Sequence, residues 1–164
     1  MIEVLVAVLV VSFGMIGIAA TLFATIHSAT SNYSRQVAVE YAYDIIDRMR
    51  ANDAEAAIAG GPYTATLSTP SSTPPTTCVD SSCTAAEMAA YDIWEWQTEL
   101  ENNLPSGLGS VTIAAGSSST YTVTVTVEWI DSGTSAFSAT SNSNGSSSSS
   151  TGSSLASHTL VTAL

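Results

Sequence analysis

The fold is decided by residues 1–52, MIEVLVAVLVVSFGMIGIAATLFATIHSATSNYSRQVAVEYAYDIIDRMRAN. Between Glu3 and Arg35 only His27 can carry a charge near neutral pH, and Val4 to Ile26 is almost wholly aliphatic. A helix needs about 20 such residues to cross a bilayer core. The pattern then changes without a break. Val37, Tyr41, Ile45 and Met49 recur every four residues with Ala38 and Ala42 beside them, the spacing of a helix with one buried face. Asp44 and Arg48 stand at i,i+4 in the favourable order. No proline falls between residues 1 and 61. The spacing predicts one helix from about Ile2 to about Asn52, roughly 75 Å long at 1.5 Å per residue.

Composition sets limits on the rest. Of 164 residues, 3 are Lys or Arg and 14 are Asp or Glu, giving a net charge of −11. There is no lysine; the cations are Arg35, Arg48 and Arg50. Gripping nucleic acid needs clustered cations, and so does docking on anionic lipid through a basic patch. Neither fits this chain. Ser and Thr supply 48 residues, so polarity outside the core comes mostly from hydroxyls. A secretory signal peptide would start with basic residues and end at a small-residue cleavage site, whereas this segment starts with an acid and continues as helix. The apolar run from Val4 to Ile26 argues against a fully soluble cytosolic enzyme.

Glu3 is the residue out of place, since an acid deep in a spanning helix costs roughly 2.5–3.5 kcal/mol on insertion scales. Chemistry alone leaves two readings. Either Glu3 lies in the headgroup zone and does nothing, or it meets a cation once the chain assembles.

The run IEVLVAVLVVSFGMIGIAA resembles the N-terminal helix of type IV pilins, which begins Phe-Thr-Leu-Ile-Glu after processing. Glu3 matches that family's acid position, Ile2 the residue before it and Met1 the usual Leu. By this resemblance the sequence starts two residues inside the mature N-terminus, beyond a leader and a methylated Phe. Tyr43 to Asn52 resembles the DxxDRMRAN block of PilV-type minor pilins, with Asp44, Asp47, Arg48 and Arg50 as its charged positions. So does Cys78 to Cys83, followed by Thr84 to Asp92 and by Trp96-Gln97. The likeness covers residues 1 to about 105 and only loosely the strands beyond. It implies that Glu3 neutralises the N-terminal amine of a neighbouring subunit as the helix leaves the membrane. Burial favours a neutral carboxyl; meeting an ammonium favours the ion pair, whose use is registration more than net stability. Gly14 and Gly17 lower helix propensity by about 1 kcal/mol each relative to Ala. They suit close helix packing, or a local unwinding during assembly.

Residues 53–83 read as loop, with a short strand at Tyr63 to Leu67 and breaks at Gly60-Gly61-Pro62, Pro70 and Pro74-Pro75. Cys78 and Cys83 are the only cysteines, and behind a membrane anchor a disulfide is the expected state. The alternative is a metal site that only His27 and His158 could complete. Thr84-Ala-Ala-Glu87 is a capping box opening a helix to about Asn103. Met88, Tyr91, Trp94 and Leu100 are its expected buried side. Glu87, Asp92, Glu95, Glu99 and Glu101 are expected on its wet side, although paired carboxylates could instead act as acid and base or hold calcium. Trp94 and Trp96 read as one core and one interface anchor, or else as a sugar platform. Ser110–Ala115 and Thr120–Asp131 read as strands around a turn at Gly116. The second alternates Tyr121, Val123, Val125, Val127 and Trp129 against Thr122, Thr124, Thr126 and Glu128. His158–Leu164 is a final strand, with His158 expected exposed and no nucleophile paired with it. Ser132–Ser157 is low complexity and expected to be a mobile loop open to O-glycosylation, with one N-x-S match at Asn144.

The fold expected is α+β and pilin-like: a long N-terminal helix packed on a small antiparallel sheet. Residues 1–28 would be the membrane and filament-core half of that helix, and 29–164 an extracytoplasmic head. The resemblance implies a minor pilin that helps start pilus assembly and affects surface display, adhesion or twitching. It implies the inner membrane before assembly, the extracellular pilus after it, and other pilin subunits as partners. No catalytic residue, cofactor, metal, nucleic acid or small-molecule substrate is expected. Two other readings are a major pilin or type II secretion pseudopilin, and a membrane-anchored receptor for calcium or glycan.

Overall fold

The structure is a computed structural model, and it describes residues 2–75, 78, 82–115, 120–131 and 154–164. Helix α1 runs unbroken from Ile2 to Ala51. Its distal half buries Ser34, Val37, Ala38, Ala42, Ile45, Ile46 and Met49, a stripe at spacings of three and four that continues the face expected from sequence. Ala38 and Ala42 are fully buried and let the helix approach its neighbours closely, while Ile45, Ile46 and Met49 fill the space between. Each such large side chain is worth about 1.5–3 kcal/mol of burial. Tyr41, expected in the same row, is only half-buried.

A single short turn of helix, α2 (Asp53–Ala56), follows. Tyr63 to Leu67 forms no strand. Ala65 alone bridges to Val111, through two backbone bonds of 2.9 and 3.0 Å. Helix α3 (Ala85–Asn103) opens at the expected capping box. The Glu87 N–H donates to Thr84 Oγ1 at 3.3 Å, and the Thr84 N–H donates to Glu87 Oε2 at 2.9 Å. It ends where Leu104 turns extended before Pro105.

Strands β1 (Leu108–Ala115), β2 (Tyr121–Asp131) and β3 (Ser154–Ala163) form one antiparallel sheet in the order β1-β2-β3. Val125 pairs with Val111 on one side and Leu160 on the other. The β2 alternation is realised: Val123, Val125, Val127 and Trp129 are buried against α1 and α3. Tyr121 sits half-buried at the edge. Strand β3 starts earlier than expected, so Ser154 to Ser157 belong to the sheet. The expected turn at Gly116 and the remainder of the Ser-rich stretch, with Asn144, lie outside the described residues.

Trp96 ties the layers together. Its ring is fully buried, and its indole N–H donates to the Tyr41 carbonyl of α1 at 2.9 Å. Gly109 of β1 lies flat against it; a Cβ there would run into the Trp96 ring and Leu100. Gln97 Nε2 donates to the carbonyls of Thr66 and Gly109, at 3.1 and 3.0 Å. The fold is therefore α+β, a long N-terminal helix laid on a small antiparallel sheet.

Candidate functional site

The surface that the fold leaves unexplained is the first half of α1. Ile2, Phe13 and Phe23 are 77%, 68% and 66% exposed, and none of the most apolar 18-residue window, of mean hydropathy 2.5, is buried. By length and composition this helix can cross a membrane. Three of its hydroxyls bond back onto the helix itself. Ser12 Oγ donates to the Val8 carbonyl at 2.8 Å, Thr21 Oγ1 to Ile18 at 2.8 Å, and Thr25 Oγ1 to Thr21 at 2.9 Å. Such back-bonding satisfies hydroxyls where no water is at hand. Spacing alone did not reveal it, although Ser and Thr within an apolar helical run are its signal.

Glu3 sits in the first turn of this half, exposed. Gly14 and Gly17 lie within it, and a Cβ built on either meets nothing within 4 Å. The helix passes through both without a break. An exposed apolar surface this large marks contact with a membrane or with other proteins.

A charged cluster sits where α1 and α3 meet. Arg48 Nε binds Asp44 Oδ2 at 2.9 Å, and its Nη1 binds Glu95 Oε2. Asp92 and Glu99 lie 3.7 and 3.8 Å from the same guanidinium. Burial opposes the charge on Arg48, but the hydrogen bond to Glu95 and the field of Asp44 hold the guanidinium above its ordinary value. Burial pushes the Glu99 carboxyl up; Arg48 only partly offsets this, and Glu95 and Asp44 add to it. Tyr63 is pushed up by burial and then by its hydrogen bond to Asp92. Of the block Asp44, Asp47, Arg48 and Arg50, the structure gathers Asp44 and Arg48 into this cluster. Asp47 and Arg50 pair with each other at 2.7 Å on the exposed side.

Several expectations for the head need correction. The buried side of α3 is Ala89, Asp92, Trp96, Gln97 and Leu100. Met88 is exposed and Tyr91 half-buried, and Trp94 reaches outward to donate its N–H to the Ser71 carbonyl at 2.8 Å. Asp92, expected wet, is buried because Tyr63 and Arg48 supply its partners. Trp96 is the core anchor, and the two tryptophans share no sugar-binding face. His158 is half-buried on the inner side of β3, with its Nε2 closed off and without a partner among the described residues, as is Nε1 of Trp129. Cys78 and Cys83 are joined by a disulfide, with 5.6 Å between their Cα atoms. Among the described residues no group of three His, Cys, Asp or Glu side chains is placed to hold a metal ion.

Residues 22–94 match the family model described as Tt1218-like, type IV pilin Tt1218. The matched segment spans the end of the apolar run, the packed half of α1, the disulfide and the first half of α3. It places the chain beside a pilin family, and a long N-terminal helix on a three-stranded antiparallel sheet is consistent with the pilin fold. No curated protein and no solved structure matches the chain.

Proposed function

We propose that this chain is a structural subunit of a type IV pilus-like filament, held in the inner membrane through residues 1–28 and carried into the extracellular filament by the same surface. The observation that carries the reading is α1 itself. One continuous helix has a distal half packed in the core and a proximal half with none of its apolar window buried. Among the described residues the head, residues 29–164, packs without that proximal half, so we take the apolar cover of that half to come from lipid or from other subunits. The match to a pilin family over residues 22–94 supports the second of these.

In this reading Glu3 is the assembly residue, meeting the N-terminal ammonium of a neighbour inside an apolar filament core. An unpaired carboxylate there is costly, so only the register that brings the amine alongside is tolerated. Gly14 and Gly17 leave room for a neighbouring helix to come close. The role is structural, without catalysis, cofactor, metal or small-molecule substrate. The finer assignment is a PilV-type minor subunit that helps start assembly, supported by the resemblance of Tyr43–Asn52 and Cys78–Gln97 to that group.

The test is quantitative mass spectrometry on sheared surface filaments from the native cells, digested with a protease that cuts at acidic side chains. The chain is expected at trace level beside a dominant pilin; dominance of this chain would refute the minor role but not the filament. Glu3→Ala is expected to leave membrane insertion intact and to lower recovery in filaments about tenfold, the size of a single lost charge-assisted bond. Unchanged recovery would sink the role assigned to Glu3.

A further inference from the structure

Beyond its apolar half, one face of α1 stays open. Tyr33, Glu40, Tyr43 and Asp47 follow at helical spacing on the side away from the sheet, all exposed. With Asp44 and Glu99 they line a cleft of about 570 Å³ between α1 and α3. Four carboxylates stand there, Glu40, Asp44, Asp47 and Glu99, with one guanidinium, that of Arg48. Arg48 is already bound to Asp44 and Glu95, and Arg50 to Asp47. Arg35 is the one arginine left without an ion-pair partner among the described residues, and the chain has no lysine against 14 acids. A second copy thus brings a single uncommitted cation, the exposed Arg35, against four carboxylates, and two such faces brought together repel.

We infer that this face receives a lysine- or arginine-bearing helix of a different filament subunit, so that the contact along α1 is heterotypic. The inference rests on the filament reading and names the partner's chemistry. Charge complementarity selects the cation, and the Tyr33 and Tyr43 rings beside the acids offer it an aromatic wall. The face continues directly from the apolar half of the same helix, so a neighbour lying along α1 meets both surfaces.

Two measurements in native cells test this. In the first, a photo-crosslinking phenylalanine replaces Tyr43, and the joined peptides from sheared filaments are sequenced. A bond to a different subunit within one helical turn of a lysine or arginine is expected; a bond to a second copy, or to a segment without a cation, overturns the inference. In the second, Glu40→Gln combined with Asp47→Asn is compared with the wild-type chain. Both side chains are exposed and the only pair broken among the described residues, Asp47–Arg50, lies on the surface, so the melting temperature of the purified full chain in detergent should barely move. Recovery in filaments should fall about threefold or more, the scale of two exposed ion pairs, and the gap to the wild type should narrow as salt is added to the shearing buffer. Unchanged recovery overturns the inference and leaves the filament reading standing. Wild-type chain absent from filaments overturns both.

Discussion

Tyr63 donates its hydroxyl proton to Asp92 across 2.7 Å, with both side chains buried. The bond fastens the segment after α2 to α3. The other oxygen of Asp92 lies 3.7 Å from Arg48 on α1, so three parts of the chain far apart in sequence meet at one carboxylate.

Tyr63→Phe keeps the ring and removes the donor. It is expected to cost about 1–3 kcal/mol, the penalty for leaving a buried acceptor short of a partner. Thermal melts of the two proteins at pH 7 measure it. The raised ionisation of Tyr63 adds a pH signature. Its stabilising contribution is fully present below the ordinary tyrosine value of 10.0 and is lost as pH rises from there through the higher folded value. The wild type should lose stability on that alkaline limb faster than Tyr63→Phe; parallel curves would count against a raised Tyr63.

Around Arg48 the acids should not behave alike. Glu95 accepts from the guanidinium, so Glu95→Gln is expected to destabilise by about 0.5–1 kcal/mol, discounted for its exposure. Glu99 carries a raised carboxyl. Its contribution is favourable below its ordinary value of 4.5 and is lost as pH rises through the folded value, so at pH 7 the charged form is a penalty. Glu99→Gln should therefore leave the melting temperature at pH 7 unchanged or raise it. Arg48→Met removes the one cation in reach of Asp92 and should cost about 2–3 kcal/mol, towards the low end for broken buried pairs because Arg48 is partly exposed. Chemical denaturation of the four proteins orders them, and a Glu99 variant weaker than the Glu95 variant would contradict the scheme.

The disulfide closes a small loop, with a sequence separation of 5 between Cys78 and Cys83. A loop this short restrains the unfolded chain little, so reduction is expected to cost about 2 kcal/mol. Thiol labelling of the folded protein without reductant should find no free cysteine. Labelling of both after reduction, with α3 still melting cooperatively, would match a local clasp. Collapse of the whole head would show that the clasp holds more than its own loop.

The elements with strong local signals were legible in the sequence. The 50 residues of α1, the Thr84–Glu87 box and the β2 alternation each follow from spacing or from one short motif, and each is realised. The buried face of α3 was not legible, because its orientation is set from a distance. Hydrophobicity favours Met88 and Trp94. The packed face instead uses Ala89, whose small size lets a neighbour in, and Asp92, which is tolerated only because Tyr63 and Arg48 arrive to satisfy it. Tyr63–Leu67 failed as a strand for a related reason: beyond the Ala65 bridge, the Thr66 carbonyl is taken by Gln97 of α3 and Leu67 is exposed. The apolar half of α1 was legible as a surface, whereas the acid-and-tyrosine cleft needed α3 laid beside α1 before its residues shared a wall.

All three arginines lie on α1, at positions 35, 48 and 50. From Ala51 onward the chain offers no peptide bond following a lysine or arginine. Proteases of trypsin-like specificity therefore find nothing to cut in the sheet, in α3 or in the serine-rich stretch. The part of the head from Ala51 onward resists that class of enzyme whatever its folding stability, and the cleavable bonds are confined to α1. Tryptic digestion therefore reports this chain almost entirely through the α1 segment between Arg35 and Arg48, while everything from Ala51 onward stays in one piece.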